Sequence, residues 1–226
     1  MLSLWNNIYA TFIMQDRYLF FVEGLKATLA LTFGSFLLGT LTGVLLCAAF
    51  RSKNTLVQRI ARLIASFFVE MPTLVLLMIL VYVIFGRSAL PLLWVITVGL
   101  TLKAGAYLSQ IFDTALSTVD SGEIEAARTL GMSKWQAFRY IALPQTVTAA
   151  LPLYQNQFIV TMQETSVVGY LAVVDLTQAA SIISSRTLDA LFGLIAVAVL
   201  YFIIGNVVKL LFRLLIAAGR RGGEAA

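Results

Sequence analysis

Residues 120–144 read Asp120-Ser121-Gly122-Glu123-Ile124-Glu125-Ala126-Ala127-Arg128-Thr129-Leu130-Gly131, then Met132-Ser133-Lys134-Trp135-Gln136-Ala137-Phe138-Arg139-Tyr140-Ile141-Ala142-Leu143-Pro144. This is a charge-bearing insert between two strongly apolar stretches. The insert reads as two short helices joined by a glycine. Asp120 is a good N-cap with Glu123 three residues on, and Ser133 with Gln136 forms a second capping pair. Glu123 and Glu125 are expected in the first turn, where the helix dipole favours acids. Gly131 can take the left-handed conformation that ends a helix. Trp135, Phe138 and Ile141 fall on one face of the second helix. Leu143-Pro144 marks a boundary, because proline disfavours helix at the residue before it.

Outward from this insert the chain is apolar. It has 226 residues, of which 60% are hydrophobic and 12% charged, against about a quarter charged in a soluble domain. The apolar residues come in long continuous runs, which exclude an alternating β-barrel pattern. The class is an all-α integral membrane bundle. A hydrocarbon core of roughly 30 Å takes about 20 apolar residues per helix. Five spans are expected, at about 27–50, 63–85, 91–114, 144–164 and 189–213.

Cationic residues set the orientation. Eleven of the sixteen Lys and Arg fall in or beside three segments: the link after span one, the 120–142 insert, and the end of span five. Arg17, Lys26, Arg87 and Arg186 fall on the other side, and Lys103 lies within span three. By the positive-inside rule the three rich segments are cytoplasmic, with the N-terminus outside and the C-terminus inside. Residues 1–22 lack a basic-then-apolar signal pattern, and Asp16 and Arg17 interrupt the run. Residues 1–26 are expected to form a periplasmic interfacial segment with Trp5, Phe12, Tyr18 and Phe20 near the headgroups. Residues 218–226 are expected to fray as a basic cytoplasmic tail.

Several chemistries are excluded. Histidine is absent and the single cysteine, Cys47, sits in an apolar run; it reads as a small buried hydrophobe. No clustered carboxylates or nucleophile–base pair suggests an enzyme. No glycine-rich Lys-Ser/Thr phosphate loop is present, so ATP binding is not expected. No metal or cofactor is implied, and the net charge of +5 flanks membrane spans rather than marking nucleic-acid binding.

The spacing of Glu125-Ala126-Ala127, Gly131 and Leu143-Pro144 resembles the EAA loop of permease subunits of ATP-binding-cassette importers. The resemblance runs over most of the chain. Gly105-Ala106-Tyr107, Leu143-Pro144-Gln145, Asn156-Gln157-Phe158, Gln163-Glu164-Thr165-Ser166 and Val174-Asp175-Leu176-Thr177 are similar to motifs of the polar amino acid branch. Val69-Glu70-Met71-Pro72, Gln163 and Lys103 depart from that branch's usual residues.

The resemblance implies a type I importer permease fold in the bacterial inner membrane. The loop would be a cytoplasmic coupling helix docking on an ATPase dimer through Glu125, Ala126, Ala127 and Gly131. It implies a second permease subunit, identical or paralogous, a periplasmic substrate-binding protein, and contact with membrane lipid. An ion channel or secondary transporter subunit is the competing reading.

Ionisable residues at membrane depth default to functional candidates. Lys103, Tyr107 and Gln110 share one helical face with Gly99. Lys103 is expected to meet either a substrate carboxylate or a permanent partner, Glu70 or Glu164. Glu70 borders the pathway or is a solvated or subunit-contact residue, and Pro72 beside it can kink the helix. Glu164, Thr165 and Ser166, at the end of span four, are expected to border the pathway. Asp113 and Asp120 read as solvated or as caps. Ser35, Gly39 and Gly43, four apart, suggest a close helix-packing face.

Overall fold

The structure is a computed structural model that describes Trp5 and residues 9–223. Among the described residues it is helical, with no strand. Its α-helices, among the described residues from Tyr18 on, follow one another. They are α1 (Tyr18–Phe50), α2 (Thr55–Glu70), α3 (Thr73–Met78), α4 (Leu92–Ser117), α5 (Ser121–Thr129), α6 (Lys134–Ala137), α7 (Leu143–Glu164), α8 (Leu176–Thr187) and α9 (Leu191–Gly223). Among the described residues three stretches are long and apolar enough to cross a membrane: Thr11–Phe50, Leu92–Ser117 and Leu191–Leu214. Two bent helix pairs bring the crossings to five when each pair counts as one.

Four expectations are corrected. The helix expected from about residue 27 begins at Tyr18. Glu23 and Lys26, three apart, share an exposed face, while Phe21, Gly24 and Thr28 turn inward, so the charges do not stop the helix. The second span is not continuous: the chain bends by 106° between Thr55–Glu70 and Thr73–Ile84. Met71 is extended (φ −72°, ψ 130°), as the residue before a proline prefers. Leu143-Pro144 is no boundary: Phe138–Ala142 is a π-helical stretch and Leu143 stays helical. The Leu143 N–H bonds back to the Phe138 carbonyl five residues earlier, and this wider π turn admits a following residue that has no N–H to donate. Residues 218–223, expected to fray, continue α9; residues 224–226 lie outside the described residues, as do residues 1–4 and 6–8 of the expected N-terminal interfacial segment.

The chain divides into two units. The first takes in the chain up to Phe33, Leu77–Ile96 and the chain from Ile159 on. Its core joins Phe21 to Leu176, Ala179, Ala180 and Ile183 of α8 and Val197 of α9. Phe12 stacks on Phe21 at 5.5 Å, so part of the expected interfacial segment is drawn into the core. The α8 helix lies in a segment expected only as a connection. Asp175 starts it, accepting the Gln178 N–H at 2.8 Å.

The second unit comprises Gly34–Leu76 and Thr97–Phe158. Here α1 packs closely on α4. A Cβ on Gly39 would stand 2.9 Å from that of Ala104, and one on Gly43 would stand 2.9 Å from that of Leu108. The expected small-residue face is therefore a helix contact. Phe50, Ala61, Ala65 and Ala106 form a further core that seats α2.

Candidate functional site: the membrane break and the cytoplasmic loop

The bend after α2 leaves a helix C-terminus whose last carbonyls lack intrahelical donors. Three groups answer them. The Met71 N–H returns to the Phe67 carbonyl at 3.2 Å. The Lys103 ammonium donates to the Met71 carbonyl at 2.6 Å, and the Tyr107 hydroxyl to the Val69 carbonyl at 3.3 Å. Lys103 and Tyr107 stand four residues apart on α4, so one face of that helix serves the end of another. A cation at a helix C-terminus also meets the negative end of the dipole. This is how Lys103, only 4% exposed, is accommodated.

The expected candidates thus separate. Lys103 and Tyr107 converge on the break. Gln110 is exposed and lies outside that cluster. Glu70 is exposed, and among the described residues it forms no ion pair with Lys103. Glu164, Thr165 and Ser166 belong to the first unit. There Thr165 is buried and donates to the Met162 carbonyl at 2.7 Å. The carbonyls of Val69 and Met71 have no sequence signal beyond Pro72 itself.

The insert is built much as its capping residues require. Asp120 accepts the Gly122 N–H at 2.8 Å and caps α5. Glu123 is in the first turn; Glu125 lies beyond it. Glu123 binds the Gln145 amide, tying α5 to the first turn of α7. At the other end Met132 N–H reaches the Ala127 carbonyl and Arg128 reaches the Met132 carbonyl at 2.9 Å. Gly131 follows with φ +91°, and an added Cβ there would meet nothing within 4 Å. Ser133 and Gln136 form the full reciprocal capping box of α6.

The side chains sort into two faces. Ala127 is 3% exposed, so its methyl packs inside this chain. Glu125 and Ala126 face outward. Leu130 is 84% exposed and Trp135 64%. Trp135 was expected with Phe138 and Ile141 on one face. Its ring does lie 5.7 Å from that of Phe138, but Phe138 and Ile141 are half-buried.

A charge cluster near the insert has a structural role that the sequence reading did not assign. Asp113 accepts Arg51 Nε at 2.8 Å, and Arg51 also reaches the Asp113 carbonyl and the Ser117 hydroxyl. This network fastens the end of α1 to the end of α4. The available signal was the position of both residues at the same ends of their spans.

Residues 27–221 match the family described as binding-protein-dependent transport system inner membrane component. The chain belongs to that family. A probable amino-acid ABC transporter permease of Bacillus subtilis, YckA, is 32% identical, covering 90% of each chain. The histidine/lysine/arginine/ornithine permease HisM of Salmonella typhimurium is 31% identical, covering 94% of each. A solved amino acid ABC transporter with histidines superposes with a TM-score of 0.81 at 30% identity, over 89% of this chain and 95% of that one. The inward-facing MetNI methionine ABC transporter, at 22% identity and a TM-score of 0.75, covers 91% of this chain and 99% of that one and shares the fold.

The fold is therefore that of a type I ABC importer permease. As a member of this family the protein is a multi-pass inner-membrane transport subunit. It works with a substrate-binding protein and with a separate subunit that hydrolyses ATP. Nothing favours the channel or secondary-transporter reading.

Proposed function

We propose that this permease carries a polar amino acid, and that the 120–142 loop is its contact with the ATPase dimer. The observation that carries the second part is the outward display of Leu130 and Trp135 on a firmly capped loop. Large exposed apolar side chains among polar ones mark interaction sites. Gly131 sets the angle between the two helices, Glu125 and Ala126 contact the ATPase directly, and Ala127 supports them from within. The amino acid assignment rests on the printed activities of the relatives YckA and HisM.

In this reading the N-terminus is outside and the C-terminus inside. A second permease, identical or paralogous, completes the membrane unit, with lipid around it. The pathway candidates are Lys103, Tyr107, Glu70 and Gln110 in the second unit and, separately, Glu164, Thr165 and Ser166 in the first. Lys103 and Tyr107 act there by fixing the break after α2.

The test is reconstitution with the cognate ATPase and binding protein in liposomes. Uptake of the binding protein's amino acid ligand should require ATP and should be indifferent to a collapsed ion gradient. Uptake that follows the gradient without ATP rules the reading out.

A further inference from the structure

The second unit contains a cavity apart from the Lys103 cluster and from the outward-facing side chains of the loop. Its volume is about 550 Å³. It runs lengthwise: α1 lines it from Thr40 to Arg51, and the opposite wall runs from Leu143 to Tyr154 of α7. At 1.5 Å rise per residue each wall is about 16 Å long. That is about half of a 30 Å hydrocarbon core, the depth of one leaflet.

The two ends differ. At one, the Thr40 and Tyr154 hydroxyls bond each other at 2.9 Å, so they present little unsatisfied polarity to the space. Between the ends the walls are apolar, with Val44, Cys47, Ala150 and Leu151 among them. At the other end Arg51 lines the mouth. Its partner Asp113 is shared with Arg62, whose guanidinium stands 3.8 Å from the second carboxylate oxygen and is 61% exposed. Two arginines on one carboxylate leave a positive charge in excess. Lys53 and Arg59, also exposed, flank the same link.

An apolar slot one leaflet deep, cationic at its mouth and with its inner hydroxyls bonded to each other, has the shape and charge of a lipid. We propose that this cavity binds an acyl chain of an anionic phospholipid from the surrounding membrane, with the phosphate at Arg62 and Arg51. Cationic side chains near a membrane surface attract such headgroups. The site also touches the transport machinery. Phe138, in the π-helical stretch joining the cytoplasmic loop to α7, forms part of the wall. A bound chain therefore packs directly against the connection between that loop and the membrane.

The experiment uses the complete transporter purified in mild detergent, with phosphatidylglycerol and phosphatidylethanolamine as probes in native mass spectrometry. One phosphatidylglycerol should be retained per permease subunit, bound about fivefold tighter than phosphatidylethanolamine. Ala150→Trp, which places an indole in the wall, should abolish retention, and Arg62→Gln should erase the headgroup preference. A second measurement needs no substitution. Cys47, the one cysteine, should react more slowly with N-ethylmaleimide as phosphatidylglycerol is added. The proposal is overturned by lipid retention unchanged in Ala150→Trp, or by Cys47 reactivity that ignores lipid. It is equally overturned if Ala150→Trp releases the second permease subunit, which would make the cavity a subunit contact.

Discussion

The Lys103 Nζ lies 2.6 Å from the Met71 carbonyl oxygen, across 32 residues of sequence. An ammonium at membrane depth is costly, and so is a helix end with orphan carbonyls. The fold places one against the other. The negative end of the α2 dipole meets the one lysine of α4. Tyr107, a turn further along, does the same for the Val69 carbonyl at the longer distance of 3.3 Å.

The two contacts should differ in weight. Hydrogen bonds to charged groups contribute about 1.5–3 kcal/mol and neutral ones about 0.5–1.5. Lys103→Met should lower the melting temperature of the purified complex clearly more than Tyr107→Phe does. Equal melting temperatures for the two variants would contradict the capping role. Uptake measured on the same preparations should fall with Lys103→Met, because the break borders the proposed pathway.

The arginines on Asp113 should also be unequal. Arg51 makes three bonds at 2.7–2.9 Å, whereas Arg62 stands off at 3.8 Å and is mostly exposed. Exposed pairs contribute roughly 0–1 kcal/mol. Arg62→Gln should leave the melting temperature nearly unchanged. Arg51→Gln should lower it by the equivalent of about 1–2 kcal/mol, since charge-assisted bonds are the stronger kind. Thermal melts of both variants in one detergent check this.

Gly131 isolates a backbone effect. An added methyl would touch nothing, so Gly131→Ala carries only the cost of a positive φ, about 1 kcal/mol. It should insert and assemble normally. Gly131→Val is a greater outlier at positive φ and should misalign α5 and α6. Both ATPase co-purification and uptake should fall in the valine variant. Wild-type levels of both in a normally inserted Gly131→Val chain would remove this loop from ATPase coupling.

Gly105 tests packing rather than backbone. A Cβ there would come 2.1 Å from Thr42 Oγ1 and 3.2 Å from the Gly39 carbonyl. Gly105→Ala should force α1 and α4 apart and cost about 1–3 kcal/mol, as overpacking does. Removing the hydroxyl with Thr42→Ala should recover part of the loss, while the carbonyl contact retains the rest. A double-mutant cycle on melting temperature reads the coupling; strictly additive effects would contradict the contact.

What the sequence determined by itself was local or summed over long windows. The apolar runs set the membrane class, and five of them set the number of crossings expected. Asp120, Gly131, Ser133 and Gln136 set the course of the loop, because a cap bonds its own neighbours within three residues. Pro72 announced the kink. The tertiary structure decided everything that depends on a partner remote in the chain. Pattern alone could not say that Met71 would offer its carbonyl to Lys103. It could not say that Asp113 would bind Arg51, that Ala127 would face inward while Ala126 faced out, or that α1 and α7 would leave a cavity between Thr40 and Leu143. A backbone carbonyl carries no residue-specific signal. Helical spacing fixes which residues share a face, but only packing fixes what that face meets.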